Sequence, residues 1–194
     1  MTLALAFPLL LALLADADPL AEAAMTYLQR CEEAKAATIK AKESEIKALA
    51  ADSKVKLKAA RAELRRLTES PAAPLPLPLP PQKESMGIFT PASPEDGRGG
   101  KSVDVLEIVD EDEAIVRAWY VPPASAGHAA SEEPTFVDLW IQGIDTAGLT
   151  ARSPITLPQV FHVTGSKLFD TTCGKRSLPL LVPVEIERYR AGGK

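Results

Sequence analysis

The distribution of helix breakers divides this chain in two. Of its seventeen prolines only Pro8 and Pro19 precede residue 70, and its first glycine is Gly87. Glycine and proline disfavour a helix interior by about 1 and about 3 kcal/mol relative to alanine. The stretch from residue 18 to residue 69, free of both after Pro19 and rich in Ala, Glu, Lys, Leu and Arg, is therefore predicted to be helical. Pro19 sits in the first turn, where its missing N–H is tolerated. The prolines that follow residue 70 must belong to another kind of structure.

Within the helical segment Leu57, Ala60, Leu64 and Leu67 recur at three-four spacing and form the expected helix interface. Upstream, Met25, Leu28, Cys31, Ile39 and Ile46 make a poorer seam, interrupted by Glu32, Lys35 and Lys42. The spacing shifts near Asp52 and Ser53, as either a stutter in one long helix or a turn between two helices requires. With no Gly or Pro there, one long, coiled-coil-like helix is the expectation. A narrow seam suits self-association or a protein partner's helix. Lys54, Lys56, Lys58, Arg61, Arg65 and Arg66 make the last turns basic. The plain reading is a solvated face that complements the carboxyl end of the helix. The sharper one is attachment to an acidic surface, such as anionic lipid or a cell-envelope polymer.

Ahead of the helix lies the apolar run Leu3 to Leu14, too short to span a bilayer as a mature helix. Ala15-Asp16-Ala17 then fits the small-x-small pattern of a signal-peptidase site, although no Lys or Arg precedes the run. Residues 1–17 are read as a signal peptide. The expected location is periplasmic or extracellular, with no stable membrane span after cleavage. In an oxidising compartment Cys31 and Cys173 could pair with each other or across chains, or remain two thiols, which is the preferred reading. The formal charge of −4 argues against a general nucleic-acid binder. Nothing has the spacing of a metal site, so no metal or cofactor is expected.

Residues 70–100 read as a Pro/Gly-rich linker. Within them SPAAPLPLPLPPQ alternates leucine with proline. As a polyproline spacer at about 3.1 Å per residue it would hold the two halves apart. As a strand it would put every leucine N–H on one edge and the prolines, which have none, on the other. The spacer is the expectation.

From Lys101 the hydrophobic period becomes two. SVDVLEIV and AIVRAWYV flank the acidic turn Asp110 to Glu113; TFVDLWIQG, QVFHVTG, SKLFDTTCG and RSLPLLVPVEIE follow. Gly165-Ser166 and Gly174-Lys175 read as hairpin turns. About five or six short strands with no helix between them predict a rolled sheet or small barrel over 101–190. Pro158, Pro179 and Pro183 are expected at edges or bulges. The fold class is α+β in two parts, a long N-terminal helix and a small C-terminal antiparallel β-barrel or rolled sheet.

The acidic turn lacks the glycine and the distant glutamate of a calcium loop, and reads as a solvated tip. Arg117, Trp119 and Trp140 are the candidate ligand-binding residues. Each lies opposite the apolar face of its strand, so together they could stack on a sugar or peptide, while the plainer reading packs both tryptophans at the barrel ends. No catalytic residue is assigned. Ser166 lacks the context of a nucleophile elbow. Cys173 and His162 fall on adjacent predicted strands but have no orienting third group.

The runs VDVLEIVDEDEAIVRAWY, VDLWIQGIDTAGL and LPQVFHVTGSKLF resemble a small β module of uncharacterised exported bacterial proteins that join a signal peptide, a coiled-coil segment and that module. The repeated features are the acidic turn at 110–113, the Gly-x-Asp-Thr run at 143–146 and the Val-Thr-Gly run at 163–165. The resemblance implies an architecture and assigns no activity. The expected function is that of an exported, non-enzymatic structural or interaction protein, with a helix for self-association or partner binding and a β module for docking. The alternatives are a carbohydrate- or wall-polymer-binding accessory module and a cell-envelope enzyme using Cys173 and His162.

Overall fold

The computed structural model describes residues 18–49, 54–89, 103–120, 135–172 and 174–190. The expected signal peptide, His128 and Cys173 lie outside them.

The helical segment is two helices, α1 (Pro19–Leu49) and α2 (Lys54–Glu69), packed against each other. Asp18 caps the first, its Oδ1 accepting from the Leu20 N–H at 3.0 Å. The expectation of one long helix gives way to a hairpin for a reason that lies in the residues that spoil the seam. Lys42 reaches Glu63 at 2.6 Å. Lys35 donates to the Thr68 and Ser70 carbonyl oxygens at 3.2 and 2.7 Å, satisfying acceptors at the end of α2. Both lysines are out of place in a coiled-coil seam and well placed against an antiparallel neighbour. On α2 the Leu57, Ala60, Leu64 and Leu67 stripe is the less exposed face, with Ala60 buried.

The β half is one curled, half-barrel sheet of seven strands: β1 (Met86–Ile88), β2 (Val103–Asp110), β3 (Glu113–Tyr120), β4 (Thr135–Gln142), β5 (Pro154–Ile155), β6 (Val160–Thr171) and β7 (Gly174–Val184). Their order is β1-β6-β7-β4-β3-β2-β5. The sheet is rolled rather than closed, since β1 and β5 are not partners. It departs from the antiparallel expectation at β4–β7, which are parallel and joined only at Trp140–Leu180 and Ile141–Leu181. Pro179 and Pro183 bracket that short contact, while the β6–β7 ladder runs past both. A proline has no N–H to extend the pairing with β4. Gly165 is not a turn. β6 continues through it, and the register shift between Val163 and Gly165 makes it a bulge.

The Leu-Pro run is not a spacer. Leu77 N–H donates to the Ile88 carbonyl at 2.8 Å, and Ile88 N–H donates to the Leu75 carbonyl at 3.0 Å. Pro76 thereby forms a parallel bridge with Ile88 on the outer side of β1. The Leu77 N–H faces the sheet, the Leu75 N–H turns to the Tyr27 hydroxyl of α1 at 2.9 Å, and the run ends the sheet with an edge that offers no N–H at Pro74, Pro76 or Pro78. The strand geometry is brief. Leu77 and Leu79 enter the inner core, whereas Leu75 turns to the helix side.

Two cores result. The concave face closes over Leu77, Val103, Val116, Leu139, Ile141, Phe161 and Leu181. Leu77 from one edge and Val103 near the other share this core, which is why the sheet must curl. On the other face Ala24, Tyr27 and Cys31 of α1 pack on Met86, Val160, Val184 and Ile186, with Tyr189 of α3 (Glu187–Arg190) alongside. The two halves are therefore in direct contact.

Candidate interaction face

In β3 the alternation Ala114, Val116, Ala118 points into the concave core, so Glu113, Ile115, Arg117 and Trp119 must point outward. In β4 the same rule sends Phe136, Asp138 and Trp140 to that outer face. Register then composes rows across strands. Trp119 stands opposite Phe136, Arg117 opposite Asp138 and Ile115 opposite Trp140.

The middle row is ionic. Asp104 of β2 is registered with Arg117. Arg117 donates through Nε and Nη2 to both Asp138 oxygens, at 2.8 and 3.1 Å. Arg176 of β7 approaches Asp138 at 3.6 Å. The order across four strands is acid, base, acid, base. The Asp138 hydrogen bonds hold the Arg117 guanidinium above its already high range, so it stays charged. That guanidinium also lies 3.9 Å from the Phe136 ring centroid. Trp119 meets Phe136 edge-on at 5.3 Å and donates its indole N–H to Asp104 at 3.1 Å.

A second cluster forms around Trp140. Its indole N–H donates to Glu113 at 3.0 Å. Lys167 of β6 donates to the same carboxylate at 2.6 Å and places its ammonium 4.2 Å from the Trp140 ring centroid. Phe169 closes edge-on at 6.2 Å, over Ile115 and Leu178.

The sequence-predicted residues thus share one face but not one site. Arg117 and Trp119 are neighbours, while Trp140 stands one row beyond Arg117 and two from Trp119. Trp140 is 6% exposed beneath Lys167, so it presents no open ring for stacking. Phe136, 43% exposed, is the aromatic surface that the face presents most openly. Alternation alone marked Phe136 and Asp138 as outward. Glu113 is outward by the same alternation in β3, whereas Lys167 and Arg176 join only through register set by the β6 bulge and the parallel β4–β7 contact.

The acidic turn is held from behind. Gly143 and Ile144 N–H groups donate to the Asp112 carbonyl at 2.8 and 3.2 Å, and the Thr146 hydroxyl donates to the Asp110 and Glu111 carbonyls at 2.9 and 2.7 Å. The backbone is what these contacts use, and the Asp110, Glu111 and Asp112 side chains face solvent. Among the described residues no cluster of His, Cys, Asp and Glu is arranged to hold a metal ion. On the concave side a shallow depression of about 310 Å³ is bordered by Pro81, Lys83, Ser166 and Pro179. No described helix is long and apolar enough to cross a membrane.

His162 lies between Met86 and Val182 in the register of the sheet, and neither ring nitrogen has a hydrogen-bond partner. Burial pushes its imidazole below the ordinary histidine range, opposed by the charge of Glu84. The native state therefore favours neutral His162. Stability is full above an unfolded-state pKa of about 6.5 and declines as pH falls below it, where only the unfolded chain readily takes the proton. Thermal melting between pH 7 and pH 5 is expected to show this decline, and His162→Leu is expected to flatten it. An unchanged slope in the variant would assign the pH dependence elsewhere.

No protein-family model matches this chain, and no curated protein or solved structure matches it significantly.

Proposed function

We propose that this chain is an exported, non-enzymatic interaction protein. The helical hairpin associates with a second copy, and the β module docks a protein partner through its outer face. The open seam of the hairpin carries this reading. α1 joins the sheet-side core through residues between Leu20 and Cys31. Farther along the arm, Ile39, Ile46, Leu49, Leu57, Leu64 and Leu67 all remain half-buried. Two helices close only one side of such a seam, and a second hairpin supplies the other in a four-helix arrangement. Phe136 and the partly exposed Trp119 and Phe169, set among paired charges, have the aromatic and arginine-rich character of protein interfaces.

Two further observations favour this over the rivals. His162 is 7% exposed and neither of its ring nitrogens has a hydrogen-bond partner, so nothing orients it as a base. The covered ring of Trp140 leaves the expected platform of Trp119 and Trp140 without its second tryptophan.

Sedimentation equilibrium of the chain from Asp18 onward is the test. Association at micromolar concentration is expected, shifting to monomer in a Leu57→Ser, Leu64→Ser variant. A wild-type monomer throughout that range would remove self-association from the reading.

A further inference from the structure

The outer face of α2 carries a feature that the seam does not use. Lys54, Lys58, Arg61 and Arg65 recur at i, i+4, i+7 and i+11, forming one cationic stripe about 16 Å long at about 1.5 Å per residue. All four are exposed. The two carboxylates of α2 are both engaged, Glu63 by Lys42 at 2.6 Å and Glu69 by Arg65 at 2.8 Å. Lys54, Lys58 and Arg61 have no ion-pair partner among the described residues. Beside this stripe runs a second with the same spacing, Val55, Ala59, Ala62 and Arg66. Val55 is 80% exposed, and the alanines are exposed as well. Lys56 borders that stripe on its far side.

We infer that the outer face of α2 docks on the surface of an anionic phospholipid bilayer, the short Val-Ala-Ala stripe against the headgroups and the cations flanking it. Charge complementarity selects a negative partner. Small residues at the centre of the contact favour a flat one, because they let the helix axis approach a plane while the long Lys and Arg side chains reach sideways to phosphates. A protein groove would call for larger apolar anchors at the centre, and a flexible polyanion has no need of the small-residue stripe. The contact leaves the Leu57, Ala60, Leu64 and Leu67 face free, so it operates whether or not the hairpins associate. Each cation near an anionic surface contributes roughly fivefold in partitioning, and the attraction is screened by salt.

The test is co-sedimentation of the chain from Asp18 onward with vesicles of phosphatidylcholine alone and of phosphatidylcholine with 30 mol% phosphatidylglycerol, in low and high NaCl. Binding to the anionic vesicles alone is expected, lost at high salt. Lys54→Gln, Lys58→Gln, Arg61→Gln together are expected to reduce it about a hundredfold, and the corresponding glutamate substitutions by a larger factor. An Arg30→Glu, Lys40→Glu, Lys47→Glu variant, with the same change of net charge on α1, is expected to bind nearly as wild type. Circular dichroism of each variant establishes that the helices persist; were the glutamate variant to lose helix, the glutamine variant decides. Equal binding to neutral vesicles, retained binding by the α2 variants, or equal loss in the α1 variant would overturn the inference. So would retention of soluble polyphosphate by a protein that ignores both kinds of vesicle.

Discussion

Gly87→Ala is expected to destabilise the protein by about 3–5 kcal/mol. A Cβ at this position would fall on the Leu77 amide nitrogen and 2.6 Å from the Pro76 carbonyl carbon. Both are backbone atoms, so no side-chain rotation relieves the overlap. The Leu-Pro run must leave β1. That breaks the two Leu75–Ile88–Leu77 hydrogen bonds, each contributing about 1 kcal/mol. It also draws Leu77, 5% exposed, out of the inner core, a loss of about 1.5–3 kcal/mol. Urea denaturation measures the sum, and amide exchange at Leu77 and Ile88 localises it. Gly165→Ala serves as the control, because a Cβ at Gly165 meets nothing within 4 Å. A Gly87→Ala protein as stable as that control would mean the Leu-Pro run is not held against β1.

Tyr27→Phe is the second large effect, expected at about 1–2 kcal/mol. The Tyr27 hydroxyl accepts from the Leu75 N–H at 2.9 Å and donates to the Leu75 carbonyl at 3.1 Å. One phenol thus serves both polar groups of the residue where the chain passes from the helices to the sheet. Burial, reinforced by Cys31, pushes the phenol well above its ordinary range, so it remains a neutral donor and acceptor at any working pH. Phenylalanine keeps the ring among Ala24, Met86 and Val160 but strands the Leu75 N–H, and an orphaned, partly buried donor costs about 1–3 kcal/mol. For a chain of this size the melting temperature should fall by roughly 2–8 °C. Exchange should accelerate at Leu75 while Leu77, whose bond to Ile88 is untouched, stays protected. Equal acceleration at both would mean the run detaches as a unit and Tyr27 is more than a local pin.

How much of this was legible beforehand depends on the range of the interaction. The helix formers between Pro19 and Glu69 and the alternation after Lys101 state local preference, and helix and strand appear where they are expected. The outward parity of Arg117, Trp119, Phe136 and Asp138 follows from a period of two. The hairpin was hidden because Lys35 and Lys42 look like seam defects until Ser70 and Glu63 stand opposite them. The covering of Trp140 by Lys167 was hidden because the two lie on strands that are far apart in sequence and joined through β7.

The Leu-Pro run shows where that boundary falls. Its sequence by itself determined that every second residue lacks a donor, since proline has no N–H to give. That property suits a spacer and an edge strand equally. Only the tertiary structure decided between them. Gly87 lets the run approach β1 to backbone contact, the inner core has a place for Leu77, and Tyr27, some fifty residues earlier, receives the Leu75 N–H. None of these is a neighbour in sequence, and local propensity carries no information about groups that meet only when the chain has folded.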